Sequence, residues 1–255
     1  METLLETNNL SKTYVVGKDN QINVLKNVNI KINEGDLVSV MGPSGSGKST
    51  LLHNISGMDR LTSGNVKFCG EELVNLSEAE LSSLRLKKMG FIFQQIHLLK
   101  NLNIFDNIIL PAYSAKMESR NKINKRAKKL MKQTGIADLI HNDITQASGG
   151  QLQRVAICRA LINQPNIIFG DEPTGALNSK YANEIMELLA EINQTGTAVL
   201  LVTHDIKVAV KTERVVYMLD GSIVGEIKLG RYLRENHDME VREKKLSTWL
   251  MQMGF

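Results

Sequence analysis

The 255-residue sequence contains few cysteines and no apolar run that approaches the length of a membrane span. Its two cysteines, Cys69 and Cys158, lack the spacing of a metal site, and they predict reduced thiols in a cytosolic protein. Residues 1–10 are acidic and polar, so a secretory signal peptide is not expected there. Repeats and low-complexity segments are also absent. What remains is a globular composition, 42% hydrophobic and 23% charged.

The net charge of +4 is too small to indicate nucleic-acid binding by itself. The charge is unevenly distributed, because seven basic residues crowd one segment: Arg120, Lys122, Lys125, Arg126, Lys128, Lys129 and Lys132. This segment contains no aromatic residue on which a base could stack. It is interpreted as a solvated helix face or, alternatively, as a patch that contacts anionic lipid headgroups or an acidic partner.

The segment from Gly42 to Thr50 has the spacing of a phosphate-binding loop, G-x-x-x-x-G-K-[ST]. The residues predicted to bind nucleotide here are Gly42, Ser44, Gly45, Ser46, Gly47, Lys48, Ser49 and Thr50. Glycines let the backbone N–H groups turn toward phosphate oxygens, Lys48 supplies positive charge, and the Ser49 hydroxyl can bind Mg²⁺. A strand over 37–41 and a helix over 49–56 provide the context that this P-loop motif requires. A glycine-rich loop without a ligand is the alternative.

The pattern of apolar runs predicts an α/β fold with a mostly parallel sheet, an N-terminal antiparallel β region and an inserted helical subdomain. The P-loop motif identifies the core of this fold as resembling a P-loop NTPase core. Three units are expected: a core with its β region over 1–93 and 147–229, a helical subdomain over 94–146, and a helical tail over 230–255. In the tail, Leu246, Trp249, Leu250 and Met253 fall at helical spacing. This predicts an amphipathic helix that either folds back on its own domain or docks on a partner or a second copy.

An apolar strand over 167–170 ends in two carboxylates, Asp171 and Glu172. In P-loop enzymes the first carboxylate holds Mg²⁺ through its water shell, and the second is placed to polarise an attacking water. Because the preceding strand is apolar and predicted to be buried, this interpretation is favoured over a pair of surface acids.

The segment Ser148, Gly149, Gly150 and Gln151 opens a predicted helix and fits a capping box. The glycine pair also leaves backbone N–H groups at the positive end of the helix dipole, which is a good anion site. Since the chain already has a P-loop, a second phosphate-binding helix start suggests that two chains share each nucleotide.

Together these motifs resemble an ABC-transporter ATPase subunit over about residues 7–227: Walker A at 42–50, a signature at 148–151, Walker B at 167–172, and His204 after a strand. The resemblance implies a head-to-tail dimer that buries two ATP molecules with Mg²⁺. Each ATP would lie between the P-loop of one chain and the signature of a second copy.

The same resemblance implies roles for four further positions. Tyr14 matches the aromatic residue that stacks on adenine, with a core strand tyrosine as the alternative. Gln94 matches the glutamine that senses Mg²⁺ and water, although its neighbour Gln95 could hold that place. His204 matches the switch histidine near the γ-phosphate, and residues 176–178 match the D-loop that bridges the two sites. The expected catalytic groups are therefore Glu172, His204, Lys48 and Gln94, and the expected Mg²⁺ contacts are Ser49, Gln94 and Asp171.

Two positions depart from the family pattern. Ala147 stands where a leucine commonly begins the signature, and Asn178 stands where the D-loop commonly ends in aspartate. The first change leaves the phosphate-facing groups intact, whereas the second removes a charge and can alter communication between the sites. Because Glu172 and His204 are both present, an inactive ATPase is not expected.

Within the superfamily, residues 91–95, 107–111 and 171–177 resemble the branch that holds the macrolide-exporter, lipoprotein-releasing and bacitracin-resistance ATPases, and the tail is most similar to the antimicrobial-peptide resistance group. The expected partner is a multi-span permease, whose coupling helix would meet residues 96–110. The alternative is that the apolar residues of this segment form the core of the helical subdomain. The chain would then sit on the cytoplasmic face of the membrane. No nucleic acid is expected as a partner. Two alternatives are a soluble ABC-type ATPase that acts on DNA or ribosomes, and a regulator that only binds ATP.

Overall fold

The computed structural model describes residues 2–17 and 20–254. Met1, Lys18, Asp19 and Phe255 are included in the predicted domain ranges but lie outside the described residues. The described strands are β1 Thr3–Val16, β2 Asn20–Val28, β3 Lys31–Asn33, β4 Leu37–Met41, β5 Ser63–Phe68, β6 Glu71–Glu72, β7 Met89–Phe93, β8 Ile167–Asp171, β9 Ala198–Val202, β10 Arg214–Leu219 and β11 Ser222–Lys228. The described α-helices are α1 Lys48–Ile55, α2 Glu78–Lys88, α3 Ile104–Ala115, α4 Arg120–Gln133, α5 Gly149–Leu161, α6 Ser179–Gln194, α7 Ile206–Ala209 and α8 Met239–Gln252.

The strands form two sheets. An antiparallel sheet has the order β2-β1-β5-β6, with β3 paired to β1, and it is built from the first part of the chain. The second sheet has the order β11-β10-β4-β9-β8-β7, and all of its pairings are parallel except that of β10 with β11. The predicted α/β class, the mostly parallel core sheet and the N-terminal antiparallel region are therefore confirmed.

Two apolar cores cover the opposite faces of the parallel sheet. On one face Val38 and Val40 of β4 pack with α1 and the antiparallel sheet, and on the other face Leu37 packs with α5 and α6. β4, β8 and β9 are buried almost throughout, as continuous apolar strands of a covered parallel sheet should be. Burial of each large aliphatic side chain contributes about 1.5–3 kcal/mol, so these cores hold the strands in a fixed register.

The strand register determines where the functional residues meet. Across the sheet, Phe93 pairs with Asp171, Asp171 pairs with Val202, and Val202 pairs with Val40. These four positions lie at the carboxyl ends of parallel strands, which is the edge where α/β sheets bind ligands. Asp171 lies in this row, and the P-loop, Glu172, His204 and Gln94 follow it, so one edge of the sheet carries them.

Residues 94–146 contain α3 and α4, which build a third apolar core with α5. Ile104 and Ile108 of α3 pack there with Ile123 and Met131 of α4. Cys158 of α5 is buried in the same core, and this burial raises the pKa of its thiol to about 12. Its thiol is therefore protonated at neutral pH, as expected for an unreactive cysteine. We propose the domain division given by the sequence, with the qualification that α5 contributes to both the sheet core and the helical core.

The basic residues of α4 lie on its solvent side. Ile123, Ala127 and Met131 are buried against the helical core, whereas the five lysines of the helix are exposed. Arg126 is partly buried and pairs with Glu118. The exposed lysines fit the solvated-face interpretation, and contact with lipid or an acidic partner stays a prediction.

The tail helix α8 folds back on its own chain, as one of the two sequence interpretations predicted. Leu246 and Leu250 are fully buried in a fourth apolar core with Val215 and Tyr217 of β10. The Trp249 ring meets the Tyr217 ring edge-on, with 6.3 Å between the ring centroids. In the described structure the apolar face of α8 is therefore covered by the chain itself.

Candidate nucleotide-binding site

The P-loop joins β4 to α1 through a backbone path that only glycine can follow at its first position. A Cβ atom built on Gly42 would lie 2.2 Å from the carbonyl oxygen of Met218, which is a backbone clash that no rotamer change relieves. Gly47, the residue before α1, has a φ of +98°, in the region that disfavours other residues. This geometry leaves the N-terminal N–H groups of α1 as an anion site.

Lys48 lies under the loop and is largely buried. Its ammonium group donates to the carbonyl oxygens of Gly42 and Pro43, each at 2.9 Å. Burial lowers the pKa of Lys48, and the nearby carboxylates of Glu172 and Asp171 oppose this change. The side chain thus supports the loop with two of its three N–H donors while it brings a positive charge to the phosphate site.

Two oxygen groups meet where Mg²⁺ would bind. The Ser49 hydroxyl donates to Asp171 Oδ1 at 2.9 Å, which joins α1 to the end of β8. Among the described residues, no cluster of three or more His, Cys, Asp or Glu side chains could hold a metal by itself. One hydroxyl and one carboxylate suit Mg²⁺, because this ion is bound through few carboxylates together with substrate phosphates and water.

A second observation favours a phosphate ligand at the loop. Ser46 is only 3% exposed. Its hydroxyl oxygen is buried and has no hydrogen-bond partner among the described residues. Leaving a buried hydroxyl unpaired costs about 1–3 kcal/mol. A phosphate oxygen at this loop would satisfy it, so the residues present fit a nucleoside triphosphate with Mg²⁺.

Glu172 and His204 form a direct pair at the mouth of the site. His204 Nδ1 lies 2.7 Å from Glu172 Oε1, and the Thr203 hydroxyl donates to Glu172 Oε2 at 3.4 Å. The backbone of Glu172 has a φ of +47°, an uncommon value for a residue other than glycine, and its N–H donates to the carbonyl oxygen of Val202. Backbone strain of this kind clusters at functional sites, because the surrounding structure must maintain it.

An open cleft of about 370 Å³ collects eight of the predicted residues. Its lining consists of Val24, Ser44, Gly45, Gly47, Lys48, Ser49, Thr50, Glu172 and His204. The loop, the lysine, the glutamate and the histidine are therefore brought together within one chain, and their roles toward a nucleotide stay predictions.

Tyr14 lies beside this cleft on an exposed part of β1. Its side chain is 38% exposed, which rules out the alternative of a core strand tyrosine. The phenol donates to Asp59 Oδ2 at 2.6 Å, and Lys12 Nζ lies 2.8 Å from Asp59 Oδ1 and 4.6 Å from the ring centroid. Burial and the bond to Asp59 raise the pKa of Tyr14 to about 12. No local pattern in the sequence indicates that Lys12 and Asp59 belong beside Tyr14, because the positions are so far apart.

Gln94 follows β7 and contacts the turn after Glu172. A Cβ atom built on Gly175 would lie 3.0 Å from Gln94 Nε2, so the two residues are in close contact. Gln94 and Gln95 are both exposed, and neither lines the P-loop cleft. The contact with the 172–175 turn favours Gln94 over Gln95 as the residue that communicates with the carboxylates.

The signature segment begins α5 with the predicted capping box. Gln151 N–H donates to Ser148 Oγ at 3.4 Å, and Ser148 N–H donates to Gln151 Oε1 at 2.8 Å. Ser148 and Gly149 are exposed, and the cleft lining does not include them. The signature is therefore not brought to the P-loop of its own chain.

Asn178 and Ala147 are the two departures from the family pattern, and the contacts of each are defined in the structure. Asn178 caps α6 by accepting a hydrogen bond from the Tyr181 N–H at 3.1 Å, which an aspartate would also do. Ala147 is partly buried against the helical core, and a leucine at this position would place a larger side chain against that core.

A parallel sheet with a P-loop after one strand and Walker B carboxylates after another defines a P-loop nucleoside triphosphatase. Within that class the chain belongs to the ABC transporter family, whose model matches residues 25–175.

The relatives agree with this assignment. The chain is 40% identical over 231 residues to a macrolide export ATP-binding/permease protein, MacB, of Psychrobacter cryohalolentis, which covers 91% of this chain and 34% of the relative. It is also 40% identical over 221 residues to the uncharacterized ABC transporter ATP-binding protein YknY of Bacillus subtilis, covering 87% of this chain and 95% of that protein. The chain thus spans about a third of the length of the MacB relatives and almost all of YknY.

The fold is also that of a solved cassette. The ATP-binding cassette MJ0796, in a dimeric post-hydrolysis state bound to ADP and Pi, superposes with a TM-score of 0.82 at 42% identity, over 90% of this chain and 100% of MJ0796.

None of the helices in residues 2–17 and 20–254 combines the length and the apolar composition of a membrane span.

Proposed function

We propose that the chain is the ATP-binding and ATP-hydrolysing subunit of a membrane ABC transporter, in which two copies close around two ATP molecules and drive a separate permease. The observation that carries this proposal is the 2.7 Å contact between Glu172 and His204 beside the P-loop. A subunit that only binds ATP has no need for a carboxylate paired with a histidine at this place.

Hydrolysis would be the attack of water on the γ-phosphate. Glu172 accepts the proton of the water, and His204 holds the Glu172 carboxylate and the γ-phosphate in position. Lys48 and the N–H groups of the P-loop stabilise the negative charge on the phosphates, while Gln94 would contact the water and Mg²⁺. Mg²⁺, bound by Ser49 and Asp171 with phosphate and water oxygens, would neutralise further charge there.

The second copy completes the site in this proposal. The N-terminus of α5 is exposed and lies away from the cleft of its own chain, so its N–H groups are available to the ATP of another chain. The dimeric state of MJ0796 bound to ADP and Pi supports a nucleotide-bound dimer of this chain. Loss of the γ-phosphate would remove the contact that holds the two copies together, which allows the dimer to open.

The relatives support the proposed permease and the proposed place in the cell. MacB is named as a macrolide export ATP-binding/permease protein, which supports macrolide-type mechanotransmission as one proposed role. Lipoprotein-type mechanotransmission and antimicrobial-peptide resistance are proposed beside it on the resemblance in sequence. The chain would then sit peripherally on the cytoplasmic face of the membrane, held by its permease. A soluble ATPase that acts on DNA is disfavoured, because α3 and α4 have only 12 and 14 residues and form no long coiled coil.

Two measurements test the proposal together. Purified chain with Mg²⁺ and ATP is expected to release phosphate continuously, and affinity purification from membranes in mild detergent is expected to recover a multi-span membrane protein. Phosphate release without any membrane partner, but with bound ribosomes or DNA, would instead favour the soluble ATPase.

Tyr14 offers a test of the adenine position. Tyr14→Phe keeps the ring but removes the bond to Asp59, so the Kd for ATP is expected to change little. Tyr14→Ala removes the stacking surface, which is worth about 1–3 kcal/mol, so the Kd should rise about 5- to 150-fold. Equilibrium binding of a fluorescent ATP analogue measures both values. Equal Kd values for the two variants would remove Tyr14 from the adenine site.

A further inference from the structure

The tail helix α8 carries an arginine whose surroundings are unusual for a terminal helix. Arg242 is only 4% exposed, because it packs between α8 and the backbone segments 210–212 and 229–230. Its Nε donates to the carbonyl oxygen of Val210 at 2.7 Å, and its Nη2 donates to that of Thr212 at 2.8 Å. Two longer bonds, each 3.1 Å, reach the carbonyl oxygens of Leu229 and Gly230. A buried guanidinium that spans four carbonyl groups fixes the relative positions of the backbone segments that carry them.

The two shorter bonds are made to the segment that ends α7. This helix has only four residues, and Val210 N–H continues it by donating to the carbonyl oxygen of Ile206. The carbonyl groups at a helix end have no partner within the helix, and a cation placed there is favourable. Arg242 therefore supplies donors and a positive charge to two carbonyl groups just beyond the carboxyl end of α7, those of Val210 and Thr212.

His204 stands directly before the other end of this short helix. Asp205 caps α7 by accepting a hydrogen bond from the Lys207 N–H at 2.8 Å. The His204 side chain is 68% exposed, and its described hydrogen bond is the one to Glu172. Since so little of the imidazole is packed, the position of His204 depends on the backbone that leads into α7.

On the side that faces α6, α7 borders open space. A cavity of about 330 Å³ lies there, and its lining includes Val208 of α7, Met186 of α6, Glu172 and His204. On the opposite side, Leu246 and Leu250 of α8 belong to the same apolar core as Ala209 and Val210. The tail helix therefore supports α7 on one side, while the buried Val208 packs with α6 on the other, and the cavity leaves room for α7 to shift if the support from α8 is lost.

The same turn is also connected to the strand that leads into the P-loop. The Thr212 and Ser39 hydroxyls are 2.9 Å apart, and Ser39 is fully buried in β4. Arg242 binds the carbonyl oxygen of the same threonine, so the tail, the turn after α7 and the P-loop strand form one connected network.

We propose that Arg242 is a positioning residue, which holds α7 from behind and thereby keeps His204 in contact with Glu172. This inference rests on the proposed function, because it concerns the rate of the hydrolysis assigned to that pair. It gives the C-terminal helix a role in catalysis rather than in docking.

The test compares two substitutions in α8. Arg242→Lys keeps the charge, but a lysine cannot donate to four carbonyl groups in a planar fork. We expect kcat for ATP hydrolysis to fall about 10-fold with an unchanged Kd for ATP, since a displacement of about 1 Å can cost 100-fold in rate. Lys245→Ala is the matched control, because Lys245 also donates from α8 to a carbonyl oxygen, that of Lys228 at 2.8 Å, without touching α7. This control should hydrolyse ATP like the unmodified chain.

The chain has one tryptophan, Trp249, which lies in α8 and reports whether the helix is seated. Its fluorescence emission in Arg242→Lys is expected to match that of the unmodified chain, so that a loss of rate is not a loss of the helix. An emission shift to the red, with the same loss of kcat in Lys245→Ala, would overturn the proposal in favour of general destabilisation.

A double substitution decides whether Arg242 acts through His204. If it does, adding Arg242→Lys to His204→Ala changes the single-turnover rate no further, whereas independent effects multiply. Multiplying effects, or an unchanged kcat in Arg242→Lys alone, would overturn the inference. Absence of hydrolysis in the unmodified chain would instead reject the proposed function, so the two failures are distinguishable.

Discussion

Glu172→Gln is expected to reduce the steady-state rate of phosphate release by about 10²- to 10⁴-fold, which is the usual contribution of a general base. The amide keeps the size of the side chain and can still hydrogen-bond with His204, but it cannot take a proton from water. ATP affinity should persist, because Lys48 and the P-loop backbone are unchanged. The Kd for ATP and the rate of phosphate release measure the two effects separately.

The same substitution is expected to trap a dimer that contains ATP. With hydrolysis blocked, the γ-phosphate contacts between the two copies would remain. Size-exclusion chromatography with light scattering, in Mg²⁺ and ATP, should then show twice the monomer mass. Glu191→Gln is the control, because Glu191 is an exposed residue of α6 away from the cleft. Undiminished phosphate release in Glu172→Gln would remove Glu172 as the catalytic base.

Ser148→Arg is expected to abolish the ATP-dependent dimer and to reduce hydrolysis by about 10²- to 10³-fold, as when one stabilising donor of a catalytic site is lost. A long side chain at the exposed start of α5 would occupy the space that a nucleotide of the second copy needs. The P-loop of the same chain is untouched, so monomers should still bind ATP. The measurement is the mass of the complex in the Glu172→Gln background, where dimers would otherwise accumulate.

The chain contains a matched control for this prediction. Ser77 begins α2 with the same capping box, in which Ser77 N–H donates to Glu80 Oε2 at 2.8 Å. Loss of either cap costs about 0.5–2 kcal/mol of stability, so Ser77→Arg and Ser148→Arg should lower the melting temperature similarly. Only Ser148→Arg should prevent the dimer. Equal dimer formation in the two variants would mean that Ser148 serves as a helix cap alone.

The parts of the site that were predictable depend on local chemistry. Gly42 and Lys48 lie in one loop, and the order of strand, loop and helix around them is visible in a stretch of about twenty residues. Asp171 and Glu172 end an apolar strand, so their place at the sheet edge follows once the sheet is parallel. Ser148 and Gln151 satisfy each other over three positions, which makes the capping box a local pattern.

Partners that are distant in sequence could not be predicted. Tyr14 and Asp59 are 45 positions apart, and Arg242 binds a carbonyl group 32 positions away. No periodicity encodes these contacts, because each results from the packing of separate elements. The prediction for the tail had the same limit, since its apolar face fits a partner or its own core equally well by periodicity.

The sequence by itself determined the chemistry of this protein: a phosphate loop, two carboxylates at a strand end, and a histidine after the next strand. It also contains the signature, a second phosphate-binding helix start in addition to the P-loop. These follow from residue types and short spacings. Only the tertiary structure decided that Glu172 meets His204, that Tyr14 is exposed, and that α8 covers α7 through Arg242. The physical reason is that the register of a buried parallel sheet and the closure of apolar cores act over the whole chain, and they fix distances that no local pattern contains.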